Sequence, residues 1–179
     1  MQEEEPPAQG WAEAEMRALL DRQAITDVLH LYCRAIDRTD EELLASVYHP
    51  GAVDDHGSFS GDAAAFVART IRRMREEYEA SQHRISNILI ELHDDIAFVE
   101  SYVVAIHSLH DGRIEMAGAR YVDRFARREG SWKIARRLVL IDWDLTVASG
   151  EASPHLSAFP RGARDTSDPV YDRDYTSFS

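Results

Sequence analysis

A chain of 179 residues with 44% apolar and 29% charged side chains is long and apolar enough to bury the core of one globular domain, which excludes a disordered or fibrous protein. Asp and Glu outnumber Lys and Arg by 32 to 20, for a net charge of -12; phosphate contacts need a basic surface, so no nucleic-acid partner is expected. No apolar run approaches the roughly 18 to 20 residues that span a bilayer, so no membrane partner is expected, and the single Cys33 excludes an internal disulfide.

Residues 1–13 are acidic and proline-bearing, with neither the basic nor the apolar part of a secretory signal. They are expected to be a disordered tail on a cytoplasmic protein. From Ala14 to Ile36, Leu20, Ala24, Val28, Leu31 and Ala35 recur at spacings of four and three, which predicts a long amphipathic helix. Thr39 and Asp40 offer N-caps to a short second helix, Glu41 to Tyr48, which His49-Pro50-Gly51 is expected to end. Ala52 to His56 reads as a short strand or extended segment. Gly61-Asp62 opens a third helix with a stripe of Val67, Ile71, Met74 and Tyr78.

After Ala80 the period falls from about 3.6 to 2 and β-branched residues become frequent. Four strands are predicted: His83 to Leu92, Ile96 to His110, Arg113 to Arg127 and Ser131 to Thr146. Their separators, His93-Asp94-Asp95, Asp111-Gly112 and Glu129-Gly130, are hairpin chemistry. Strands much longer than the usual five or six residues must curl. The fold class is therefore α+β: a cone-shaped, curled, antiparallel to mixed sheet wrapped around three N-terminal helices, over residues 14–147. Residues 148–179 are expected to form an extended tail, docked in part through Phe159, Tyr171, Tyr175 and Phe178.

Several side chains in this layout bear chemistry. His83 stands at the mouth of a long strand, as a strand cap bonded to backbone or as a base with a pKa near 6.5. Asp37 closes the first helix, where a carboxylate opposes the helix dipole; it is a turn residue paired with an arginine or has a compensating role. Tyr32 is a core aromatic or a phenolic donor. Arg137 shares parity with Val139, Ile141 and Trp143, and a charge on an apolar face needs a partner or an anionic ligand. Asn87, of the same parity as His83, is a core amide or a pocket residue. His107 and His110, three apart on a strand, point to opposite faces and make a poor metal site. Asp54-Asp55-His56 also alternate, and no metal is expected. Without a glycine-rich phosphate loop, a Gly-x-Ser-x-Gly elbow or a CxxC pair, no cofactor is expected either.

Gln23-Ala24-Ile25, Tyr32-Cys33-Arg34-Ala35-Ile36-Asp37 and Gly130-Ser131-Trp132-Lys133-Ile134, in this order of elements, resemble the SnoaL-like branch of the nuclear transport factor 2-like superfamily. The similarity covers about Arg17 to Leu145 and is nearest in motif to scytalone dehydratase, hexachlorocyclohexane dehydrochlorinase and bile-acid 7α-dehydratase. That resemblance implies a His83–Asp37 dyad, with Tyr32 and Arg137 beside a leaving group. His56, Asn87 and Trp143 are expected to line the pocket; His56 departs from a tyrosine near that position, and Val103-Val104-Ala105 stands where relatives carry a second histidine or an aspartate. The implied activity is a cofactor-independent, dehydratase-type lyase on an apolar cyclic or aromatic small molecule. An isomerase or cyclase and a non-catalytic binding or partner-subunit domain are the alternatives. Apolar residues on both strand parities predict a homo-oligomer, for which the resemblance favours a trimer over a dimer.

Overall fold

The computed structural model describes residues 8–151 and 153–171; Tyr175 and Phe178 of the expected tail lie outside them. Helix α1 runs Ala8–Asp37 and so begins before Ala14. Its buried stripe is Ile25, Leu29, Tyr32, Cys33 and Ile36, whereas Leu20 is 61% and Leu31 39% exposed. The stripe expected from Leu20 and Leu31 is thus displaced around the helix, because the face carrying Ile25, Tyr32 and Ile36 meets the larger aromatic surface of the sheet.

Helix α2, Glu41–Ser46, is capped by Asp40, whose side chain accepts from the Leu43 N–H at 2.9 Å. It ends before Tyr48, and Tyr48–Asp55 is already strand β1. Pro50 and Gly51 therefore do not terminate the helix. They fall in an irregular stretch of β1 between the pairings of Tyr48 and Val53 with β6, where the missing proline N–H and the positive φ of Gly51 (73°) are tolerated. Strand β2, Ser60–Asp62, leads into α3, Ala63–Glu77, capped by Asp62. Helix α3 buries Phe66, Val67, Ile71 and Met74.

The remaining strands are β3 Tyr78–His93, β4 Ile96–Leu109, β5 Arg113–Arg128 and β6 Ser131–Ala148. With β1 and β2 they form one open six-stranded sheet in the order β2-β1-β6-β5-β4-β3, parallel only between β1 and β6. The expected four-stranded sheet lacked β1 and β2: β2 has only three residues, and the extended piece expected at Ala52 to His56 is the second half of a longer β1 whose alternation Pro50 and Gly51 interrupt. Glu129 and Gly130 both take positive φ (52° and 77°), the pair of left-handed residues that a tight hairpin uses.

Two bulges decide which side chains face inward. Asn87 (φ 48°) breaks the β3–β4 register between Ser86 and Leu89. It is exposed and lies outside the interior, a correction to its expected place in the pocket. The second bulge, in β5–β6, pairs Ala119 with Ile141 but Gly118 with Trp143, turning Trp143 to the face opposite Arg137. Trp143 also leaves the expected pocket: its ring covers Gly118, where a Cβ would lie 2.2 Å from ring atoms, and it is 44% exposed.

Edge strand β3 is covered by α1. Arg22 Nη1 donates to the carbonyl of Ile90, and Asp37 Oδ2 accepts the His83 backbone N–H at 2.9 Å. The opposite hairpin is tied to α1 through Asp21, which accepts from Arg127 Nη1 at 2.9 Å and Trp132 Nε1 at 2.8 Å.

Candidate active site

The end of α1 and the start of β3 bring Asp37 and His83 together. Asp37 Oδ1 lies 2.7 Å from His83 Nδ1 while Oδ2 holds the backbone N–H of the same residue, so one carboxylate fixes both the ring and its strand. The two side chains are 14% and 7% exposed. Burial pushes the Asp37 carboxyl up, but the hydrogen bonds and charge of His83 outweigh it and leave the pKa below the ordinary aspartate value. An ionised carboxylate only accepts, so Nδ1 carries the proton that faces Asp37, and the tautomer this selects has its basic lone pair on Nε2.

A second imidazole, His107, meets His83 edge to face at 5.3 Å and stacks on Tyr78 at 4.6 Å. The Tyr78 hydroxyl accepts from Arg73 Nη2 at 2.7 Å and reaches Glu115 Oε2 at 3.0 Å. Sequence reasoning set His107 aside. Continued unbroken from the Asp94 turn, the register would place His83 opposite Ile106 and His107 on the other face; the Asn87 bulge shifts His83 to Ala105 and Ser81 to His107, which turns both rings to one side. The left-handed tolerance of Asn was the available signal.

Burial, and then the nearby His83, press His107 down to about 4, so its ring is neutral at physiological pH. The unfolded chain binds the proton near 6.5 and the folded chain near 4. Stability from this group is therefore fully present above pH 6.5 and is lost as pH falls toward 4, by about 1–3 kcal/mol. Urea unfolding at stepped pH should show that slope in the parent and a flatter one in His107→Gln; equal slopes would contradict the buried neutral ring.

Tyr32 and Arg137 lie together, but in a second cluster deeper in the cone. Arg137 is fully buried, its Nε and Nη2 forked on Asp123 at 2.8 and 2.6 Å and its guanidinium held between the rings of Tyr32 (4.1 Å) and Tyr121 (4.0 Å). Burial disfavours the cation, yet Asp123 holds its pKa well above the ordinary arginine value. The Tyr32 hydroxyl and Arg137 Nη1 have no hydrogen-bond partner among the described residues, and burial pushes the phenol up. His56 belongs to this cluster too, 3.1 Å from buried Asp54 and stacked on Phe66 at 4.9 Å, with Tyr48 donating to Asp54 at 2.6 Å. Cys33 stands between the clusters, its thiol pushed up to about 12 by burial while feeling both Arg137 and Asp37. Among the described residues no group of three or more His, Cys, Asp or Glu is placed to hold a metal, and no helix is long and apolar enough to cross a membrane.

The tail returns over the mouth of the dyad. Thr39 Oγ1 donates to the Arg164 carbonyl at 2.9 Å, Arg38 meets Asp168 at 3.4 Å, and Arg34 lies 5.1 Å from the Tyr171 ring.

Helices held within a curled open sheet, with an imidazole–carboxylate pair at the mouth and a paired arginine in the interior, define a small α+β cone domain. The chain belongs to the SnoaL-like domain family, whose profile matches residues 17–138. Solved structures share the fold. The type 2 hexachlorocyclohexane dehydrochlorinase is similar at 20% identity and a TM-score of 0.71, over 78% of this chain and 97% of that one. The type 3 enzyme from Novosphingobium barchaimii is 19% identical with a TM-score of 0.70, over 78% and 99%. A protein from Novosphingobium aromaticivorans, provisionally assigned as a scytalone dehydratase, is 22% identical with a TM-score of 0.66, over 76% and 92%. No curated protein sequence matches significantly.

Proposed function

We propose that the protein is a cofactor-independent lyase that removes a C–H proton and expels a leaving group, of dehydratase type, from a small apolar cyclic or aromatic molecule. The observation that carries this reading is the two-point grip of Asp37 on His83. It presents Nε2 as a fixed neutral base and stabilises the imidazolium formed when the proton is taken. His107, kept neutral, is suited to donate a hydrogen bond to the departing oxygen, which leaves as water with the proton that His83 Nε2 took from carbon. Tyr32 and Arg137 act from behind, through the free hydroxyl and the free Nη1 that stabilise charge in the interior. Dehydrochlorinase and dehydratase assignments among the structural neighbours agree with proton abstraction.

The test is incubation with cyclic and aryl β-hydroxy ketones in deuterated water, followed by NMR. Loss of water with α-deuteration supports elimination, while deuterium gain or double-bond migration without loss of water moves the assignment to isomerisation. Neither outcome above the rate of the His83→Ala variant would overturn the proposal.

The outer face of the sheet leaves Phe98, Tyr102, Val122, Trp143, Leu145 and Val147 each 39–50% exposed, and large apolar side chains exposed on one face are a mark of an interaction surface. The proposed occupant is a second and third copy of the chain, in a trimer. Light scattering of the purified protein should give three times the 20.3 kDa chain mass; a monomeric mass would exclude it.

A further inference from the structure

Arg164 is a guanidinium that the tail brings to the body near Asp37. Its Nη1 is used twice, donating to the carbonyls of Met74 at 2.7 Å and Tyr78 at 2.5 Å. Its other edge, Nε and Nη2, is buried and meets no hydrogen-bond partner among the described residues. That edge carries two parallel N–H donors, the fork that matches the two oxygens of a carboxylate. Arg137 supplies the internal comparison, since the same two nitrogens there clasp Asp123 at 2.8 and 2.6 Å. Leaving such donors buried and unpaired is costly, so a ligand that fills them recovers energy already lost.

The surroundings narrow the ligand. Arg164 lines a cleft of about 700 Å³ between the tail and the ends of β3, β4 and β5, together with Asp37 and Ser81. The Ser81 hydroxyl is also buried there with no hydrogen-bond partner among the described residues. Leu109, Ile114 and Leu156 give the cleft an apolar side, and Arg113 and Arg161 add positive charge at its walls. Asp37 and Glu79 also face it, which disfavours a doubly charged phosphate and leaves room for a single negative charge.

We propose that this cleft binds a small carboxylate with an apolar ring or chain, its two oxygens on Nε and Nη2 of Arg164, one of them also on Ser81 Oγ, and its apolar body against Leu109, Ile114 and Leu156. Because the fork is sheltered by the tail, binding involves an ångström-scale shift of the Gly162–Arg164 turn. The assignment stands whether or not the His83–Asp37 pair turns the ligand over.

Calorimetric titration of the full chain with naphthoate, naphthamide, acetate and inorganic phosphate tests it. Naphthoate is expected to bind about tenfold or more tightly than the isosteric amide and more tightly than acetate or phosphate. Arg164→Lys, which keeps the charge but loses the fork, should weaken naphthoate about tenfold. Ser81→Ala, which leaves every tail contact in place, should weaken it severalfold. His83→Ala should bind naphthoate as the parent does, so the fate of the proton-transfer proposal does not decide this one. Equal affinity for acid and amide, phosphate binding as tight as naphthoate, undiminished affinity in both the Arg164→Lys and Ser81→Ala variants, or no saturable binding of naphthoate would each overturn the site.

Discussion

Replacement of His83 by alanine should reduce turnover by about 10²- to 10⁴-fold, the usual worth of a positioned acid–base group, with the fold retained. The backbone N–H that bonds to Asp37 survives the substitution, so the α1–β3 junction keeps one of its two contacts. Asp37→Asn should be nearly as damaging for a different reason. Its amide oxygen still accepts the backbone N–H, but an –NH₂ group then faces Nδ1, which drives the ring proton to Nε2 and removes the basic lone pair. Circular dichroism and initial rates on a substrate found by the NMR screen would separate these effects. A folded Asp37→Asn protein with parental turnover would exclude the orienting role, and full activity in His83→Ala would exclude the base.

The interior arginine should give the largest change in stability. Arg137→Met leaves Asp123 ionisable, fully buried and stripped of both hydrogen bonds, a loss expected to cost about 3–5 kcal/mol. Asp123→Leu leaves the guanidinium between two tyrosine rings without its counter-ion and should cost a similar amount. The double variant Arg137→Met with Asp123→Leu replaces the pair by apolar volume, and most of the loss should return. Urea denaturation of the four proteins measures the coupling. Single variants within about 1 kcal/mol of the parent would show that the pair is not the buried ionic contact its geometry describes. Turnover of the double variant then decides whether Arg137 acts beyond holding the core, because its stability is no longer the limiting factor.

Much of the cone could be read from hydrophobic period and turn residues. The change of period expected after Ala80 lies within three residues of the passage from α3 to β3, which falls between Glu77 and Tyr78, and the Asp94, Gly112 and Glu129-Gly130 turns set the hairpins because few residues accept positive φ. Asp37 and His83 were joined through the family resemblance, since nothing in the spacing of two residues 46 positions apart implies contact. Local pattern failed where tertiary context chose between equals. Helix α1 carries two overlapping apolar stripes, and only the shape of the sheet selects the one through Ile25 and Tyr32. Strand β2 has only three residues, and Pro50 and Gly51 interrupt the alternation of β1. One extra residue at each of two bulges reversed the inferred facing of Asn87 and Trp143 and brought His107 to the side of His83, because a strand's period of two makes every later side chain depend on an unbroken register.

The cover that α1 lays along β3 has a bearing on solubility. An edge strand of 16 residues is a template for pairing with another chain unless something blocks it, and here the side chains of Arg22 and Asp37 occupy two of its main-chain groups. Asp37 is thus a gatekeeper against sheet extension as well as the partner of an imidazole. The edge strand therefore needs an acceptor at position 37 independently of any chemistry at His83, and loss of that acceptor would expose the strand to self-association.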